Sequence, residues 1–514
     1  MYCKVISGTI VGAEGIRIDV EADVSDGLPT FNMVGLLSSE VKEAGERVRT
    51  ALKNSNYRLP PKRITVNLSP ADIRKAGSAF DLPIAIAVLA DLGFVVQENI
   101  KNVLIIGELS LNGDINRING ILPIVCMAAE NGIDTCIVPS GNAKEASVAG
   151  NIKVVGVSSL KEAVKVINEP DLREYVEYIG DVKVVQNDKM PDFSEIMGQE
   201  ALKRAAEVAA AGMHNFLMSG PPGSGKTMIA SRMPSILPEI SMKESLDVMK
   251  VYSVAGLLDS ENPLITHPPF RAPHHTITRN AMIGGGRWPL PGEISLANNG
   301  VLFLDELPEF SQPVLEVLRQ PLEEGKITIS RVFGNSVYPS RFMLLAAMNP
   351  CKCGYYPDRS RCNCTTEQVR KYIGKISRPL LDRIDIFVEV PRMEFSQITG
   401  NNMSETSETI RKRVEKARKI QEERYKNESY LYNGHLDSEG VKKYCVLNDE
   451  CNRIVEKIYD KLGLTARSYH KMLKVARTIA DLDGSSMIER KHLSEAMLYK
   501  SSVENEYAGG KYGE

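Results

Sequence analysis

The run Gly220, Pro221, Pro222, Gly223, Ser224, Gly225, Lys226, Thr227 constrains this chain more than any other segment. Glycine, four residues, then Gly-Lys-Thr is the spacing that lets backbone N–H groups turn inward around a phosphate. Lys226 then holds a positive charge against the β- and γ-phosphate oxygens, and Thr227 offers a hydroxyl to Mg2+. Such a loop works where a strand runs into a helix N-terminus, whose dipole favours anions. Asn215 to Met218 reads as that strand and Thr227 to Met233 as the start of that helix. The expectation is an α/β sheet that takes ATP and Mg2+.

A second strand ending in acid should accompany the loop. Val301 to Leu304 is apolar and runs into Asp305 and Glu306. Asp305 is expected to hold Mg2+ through water, and Glu306 to polarise the water that attacks the γ-phosphate. A third apolar strand, Phe342 to Met348, ends at Asn349. Its amide is expected between the loop and the acidic strand, where it would orient that water.

The chain has 514 residues, enough for about three domains of roughly 100–200 residues each. Lys and Arg number 63 against 65 Asp and Glu, a net charge of -2. That excludes a globally basic nucleic-acid coat and an acidic disordered chain, but not a local basic patch. Met1 to Val5 lacks the layout of a signal peptide. The most apolar stretch, Leu82 to Val96, carries Asp91 and is too short to span a bilayer. A cytoplasmic chain without membrane contact is expected.

Composition divides the chain into an α+β part at 1–180 and a polar linker at 181–192. An α/β core at 193–395, a helical part at 396–506 and a tail at 507–514 follow. Within the first part, Gly15 to Ala22 and Lys62 to Leu68 alternate as half-buried strands do, and Phe80 to Leu92 reads as a buried helix. Nine cysteines without a secretion signal argue against a disulfide framework. Cys3, Cys126, Cys136, Cys445 and Cys451 are scattered and read as small buried hydrophobes. Cys351, Cys353, Cys362 and Cys364 share one loop at 351–364, enough thiolates to complete a tetrahedral, structural Zn2+ site.

The phosphate loop, the segment Glu293 to Gly300 before the acidic strand, and Ala347-Met348-Asn349-Pro350-Cys351 resemble the Mg-chelatase-like AAA+ ATPases, and within them the YifB/ComM group. The resemblance covers essentially the whole chain. It implies that Asn349 is the sensor-1 residue, Arg383 an arginine finger and Arg467 the sensor-2 arginine of a helical C-terminal lid. Gly198-Gln199 resembles the adenine-side segment. An arginine finger serves the neighbouring subunit, so the resemblance implies hydrolysis in a ring, expected to be hexameric. The residues between Thr227 and Val301 correspond to an inserted element near the pore. There His274 and His275 are expected to point to opposite sides of an extended chain, which argues against a shared metal. Glu324 to Arg331 looks like the hairpin before sensor 1, with Lys326 and Arg331 as candidate DNA phosphate contacts.

Gly107 to Gly113 and Lys75 to Asp81 resemble the proteolytic domain of Lon proteases. The catalytic serine position falls on Ala79 and the lysine position near Leu122. Neither side chain can do that chemistry, and Ser78, one place early, is expected to point elsewhere. A Lon-like fold without peptidase activity is the expectation. The family's best-developed role is branch migration of recombination intermediates during DNA uptake. The alternatives are a chelatase-type motor that inserts Mg2+ into a tetrapyrrole and, less favoured, an ATP-dependent protease.

Overall fold

The computed structural model describes residues 2–176, 191–286, 289–331, 334–392, 404–462 and 464–499. Residues 181–190 of the expected linker, the expected tail and Arg287 lie outside them.

Residues 2–176 form a mixed eight-stranded sheet with buried helices. Its order is Tyr175–Val176, Lys153–Val157, Thr135–Pro139, Val103–Ile105, Tyr2–Val11, Glu14–Ser25, Arg63–Ser69, Thr30–Val34. Alternation sets the face of the long strand: Ile18, Val20 and Ala22 are buried while Arg17, Asp19 and Glu21 are half-buried. The helix Asp81–Asp91 is apolar nearly all round and is buried from Asp81 to Ala90. Buried Asp81 is held by Arg47, whose Nε and Nη2 donate to its two carboxylate oxygens at 2.9 Å each.

The second sheet has the order Phe270–Arg271, Val301–Leu304, Met343–Met348, Phe216–Ser219, Ile386–Glu389, with all neighbours parallel. Val301–Leu304 and Met343–Met348 are buried throughout, as strands covered on both faces must be. Ser219 pairs with Met348 and Leu304 with Ala346. Gly220, Asn349 and Asp305 therefore leave the sheet side by side at its carboxyl edge, where open α/β sheets bind ligands.

The remaining helices are Ser407–Arg424, Ser438–Tyr444, Asp449–Leu462, Ala466–Leu482 and Arg490–Leu498. They share one apolar core with the parallel sheet: Ile410, Val414, Leu473 and Ile479 pack with Phe216, Ile229 and Met343. A buried polar chain ties the two together. His214 Nε2 meets Thr478 Oγ1 at 2.7 Å, and His214 Nδ1 lies 3.4 Å from Asp385. Burial alone would raise the Asp385 carboxyl, but Lys474 and His214 outweigh it and hold it well below the usual range.

The first sheet's helices dock on the second unit through Leu122. Leu122 packs with Cys126, Val148, Met249 and Leu258, and its backbone N–H donates to Ser253 Oγ at 3.3 Å. The position expected to have lost a catalytic lysine is thus part of an apolar contact. Ser78 departs from expectation: it lines the same cleft as Ala79, and its hydroxyl donates to Glu108. Lys75 is buried and donates to the Pro70 carbonyl. All five scattered cysteines are buried and free.

Candidate functional site

The glycine-rich loop leaves the strand Phe216–Ser219 and enters the helix Lys226–Ile236. Gly223 and Gly225 have φ of +73° and +88°, a left-handed backbone that turns the loop back on the helix N-terminus. A Cβ on Gly220 would lie 2.4 Å from the Val390 carbonyl oxygen, so the loop's entry has no room for a side chain.

Lys226 is buried, and its ammonium donates to the carbonyls of Gly220 and Pro221 at 2.7 and 2.9 Å. It also reaches Asn349 Oδ1 at 3.4 Å. Burial lowers its pKa, with the Asp305 carboxylate opposing the shift. Thr227 Oγ1 donates to Asp305 Oδ2 at 2.8 Å, so the hydroxyl and carboxylate expected to serve Mg2+ face each other. Oxygen-only donors of this kind suit that ion. The other Asp305 oxygen accepts from the Glu306 N–H at 2.9 Å. Glu306 adopts φ +51° and is exposed, its carboxylate 3.4 Å from His275 Nδ1. The structure thus joins Lys226, Thr227, Asp305, Glu306 and Asn349 around one loop.

Sequence reasoning did not find His275 as a neighbour of Glu306. Nor do His274 and His275 point apart: their ring centroids are 4.1 Å from each other. The strand there ends at Arg271, so the alternation assumed for the pair does not apply. In the same inserted segment, Arg271 forms a two-pronged pair with Glu293 at 2.7 and 2.8 Å. Gln199, at φ +58°, donates to the Ser224 carbonyl of the loop at 3.4 Å.

Arg383 and Arg467 gather elsewhere, on Glu323. The Arg383 guanidinium is buried, pairs with Glu323 Oε1 and leaves its Nε without a partner. Burial pulls its pKa down. Exposed Arg467 lies 3.8 Å from the same Glu323 oxygen and 3.8 Å from Asp382. Lys326 opens the hairpin Lys326–Arg331 with Gly334–Pro339.

The four clustered cysteines begin two residues after Asn349, past Pro350, and their sulfurs all lie within 4.8 Å of one another. Cys351 Sγ is 3.3 Å from that of Cys353 and 3.8 Å from that of Cys362, and Cys353 is 3.5 Å from Cys362. Sulfurs about 2.3 Å from a tetrahedral zinc stand roughly 3.8 Å apart, so the donor set fits that ion. The backbone N–H of Tyr355 pulls the Cys353 thiol down to about 6, while burial pushes Cys362 up to about 12. The cysteine loop also touches the glycine-rich loop, because Gly354 packs on Pro222.

Three family models match the chain. Residues 192–398 match magnesium chelatase, subunit ChlI. Residues 20–142 match subunit ChlI of Mg-chelatase, and 404–500 match the ChlI C-terminal region. Competence protein ComM of Haemophilus influenzae is 42% identical over 507 residues, 97% of each chain. YifB of Escherichia coli is 40% identical over 497 residues, covering 96% of this chain and 95% of its own. Protein Rv2897c of Mycobacterium tuberculosis is 36% identical over 502 residues, 97% of this chain and 98% of its own. No helix among the described residues is long and apolar enough to cross a membrane.

Proposed function

Because this chain belongs to the Mg-chelatase-like AAA+ ATPases of the YifB/ComM family, we propose that it hydrolyses ATP as a hexameric ring and spends that energy remodelling DNA. The observation that carries the ATPase half is the convergence of Lys226, Thr227, Asp305 and Asn349 at one sheet edge. The DNA half is supported by the Haemophilus influenzae relative, a competence protein, and by the basic hairpin residues Lys326 and Arg331.

Lys226 neutralises the β- and γ-phosphate oxygens, and its low-dielectric setting strengthens that contact. Thr227 and Asp305 hold Mg2+, which when bound offsets charge on the phosphates. Glu306 accepts a proton from the attacking water, and Asn349 keeps that water in line. Arg383 is delivered to the neighbouring subunit's triphosphate, and Arg467 answers from the helical lid. Cys351, Cys353, Cys362 and Cys364 hold a structural zinc. Residues 1–180 are a Lon-like domain without peptidase activity, in which Ala79 and Leu122 stand where the nucleophile and base would be.

ATP turnover measured with forked DNA, four-way DNA, casein or a porphyrin tests the reading. Stimulation by branched DNA alone is expected. Stimulation by porphyrin alone would favour a chelatase motor, and an unchanged rate with every DNA, together with no DNA binding, would end the proposal.

A further inference from the structure

The segment from Arg47 to Arg63 carries six cations and no carboxylate, in a chain whose net charge is only -2. Arg47 is spent on Asp81. Arg49 and Lys53 lie one turn apart on the helix Ala44–Asn54, so they share its exposed face. After the helix, Asn56 turns the chain at φ +70°, and the stretch from Tyr57 to Lys62 runs back toward the strand Arg63–Ser69. Between these pieces and Thr30–Val34, the last strand of the sheet, lies a cleft of about 990 Å3. Arg49, Lys53, Arg58 and Lys62 line it, with Phe31 and Tyr57 as aromatic wall, and no carboxylate lines it.

These cations are not explained by the fold. Lys62 has one exposed partner, Asp26, at 3.1 Å. Among the described residues, the cationic groups of Arg49, Lys53 and Arg58 have neither a carboxylate partner nor a hydrogen bond to the protein, whereas Lys62 and Arg47 do. Like charges gathered without counterions repel, and a bound polyanion reverses the sign of that cost. Cations spread along both walls suit a chain of phosphates better than one compact anion. The half-buried rings of Phe31 and Tyr57 leave part of their aromatic surface on the cleft, which suits unstacked bases, since every base has a face to stack.

We infer that this cleft is a binding site for single-stranded nucleic acid, separate from the hairpin at Lys326. The inference rests on the DNA reading above and adds a second place of contact. It also gives the first domain a task other than peptide cleavage.

Fluorescence anisotropy with a labelled oligo(dT) and the full-length protein tests it. Wild type is compared with the Arg49→Ala/Lys53→Ala/Arg58→Ala variant and with Arg58→Ala alone, at roughly 50 and 200 mM salt. Each single-strand phosphate contact contributes about 0.7 to the slope of log affinity against log salt. The triple variant should bind at least roughly tenfold more weakly with a slope shallower by about 2, and Arg58→Ala should fall between. ATP turnover without DNA should be unchanged, which also reports an intact fold. If wild type binds and both variants match it in affinity and slope, the cleft assignment fails while the DNA motor stands. If wild type binds no DNA of any kind, both fall. Displacement of the oligonucleotide by polyglutamate at equal charge concentration would overturn nucleic acid as the ligand in favour of acidic polypeptide.

Discussion

Gly354 stands so close to Pro222 that a Cβ on it would lie 2.5 Å from the proline Cδ. Its φ of +87° lies where side chains are strained in any case. The cysteine loop therefore braces the glycine-rich loop through a contact that only glycine permits. Gly354→Ala should push Pro222 and the loop behind it, costing on the order of 1–3 kcal/mol there. ATP affinity measured by calorimetry should fall about tenfold or more, with little change in far-UV circular dichroism. Wild-type affinity in this variant would mean that the contact does not position the loop.

The same brace predicts that metal matters beyond its own four ligands. Purified protein should hold about one zinc per chain, the stoichiometry of a closed four-thiolate site. Cys362→Ser removes a buried ligand and should release most of it. Because Cys351 follows Asn349 and Gly354 touches Pro222, ATP affinity should fall together with zinc content. Protein prepared without chelators that contains no zinc would remove the site. A zinc-free variant with unaltered ATP affinity would remove the coupling.

What the sequence made legible was local. The apolar runs before Gly220, Asp305 and Asn349 read as strands of an α/β sheet, and each ends where chemistry was expected. Helix and strand boundaries shifted by a residue or a few, as the helix from Lys226 rather than Thr227 illustrates. Contacts made by folding were not legible. Glu323 and Arg383 are 60 residues apart in sequence, and no pattern at either position announces the pair. The His274–His275 contact escaped because a strand periodicity was assumed past the strand's end. The free cations near Arg49 were hidden by a whole-chain charge near zero, which averages a basic cleft against acids elsewhere.

Glu306, two residues past its strand, adopts a left-handed conformation, and its carboxylate lies 3.4 Å from His275 Nδ1. Glu306→Gln keeps the shape of the side chain and one acceptor oxygen but cannot take a proton. Turnover should drop by roughly 10²–10⁴, the usual worth of a general base, with ATP affinity within about twofold of wild type. Lys226→Ala should instead lose nucleotide binding. Equal loss of binding in both variants would mean that Glu306 holds nucleotide rather than activating water.

Arg383 and Arg467 share a single carboxylate oxygen of Glu323 in the isolated chain. Ring assembly would have to draw Arg383 from that ion pair to the neighbouring triphosphate. Arg383→Ala should then lose roughly 10³–10⁵ in turnover while ATP binding is spared. Mixing it with Lys226→Ala chains should restore part of the activity, because a mixed interface contains one intact loop and one intact finger. Brisk turnover by Arg383→Ala alone, or no recovery on mixing, would put the arginine in a structural role.

His435 supplies a pH test of how the helical region is held. Burial, with Lys474 and Arg341 nearby, pulls its pKa down to about 4, while Asp385 opposes them. An unfolded histidine titrates near 6.5, so below that pH the unfolded chain takes up a proton that the folded chain refuses. Its contribution to stability is therefore complete above about 6.5 and is lost as the pH falls toward 4. The loss is bounded by roughly 3.4 kcal/mol, at 1.36 kcal/mol per pH unit, and is smaller where solvent reaches the ring. Asp385, held below the usual carboxylate range, adds its own loss only below about pH 4. Thermal unfolding followed from pH 7 to 4 should show a falling midpoint in wild type, and His435→Gln should flatten that fall. An identical slope in the two proteins would mean that His435 is protonated in the folded state and that the buried seam tolerates the charge.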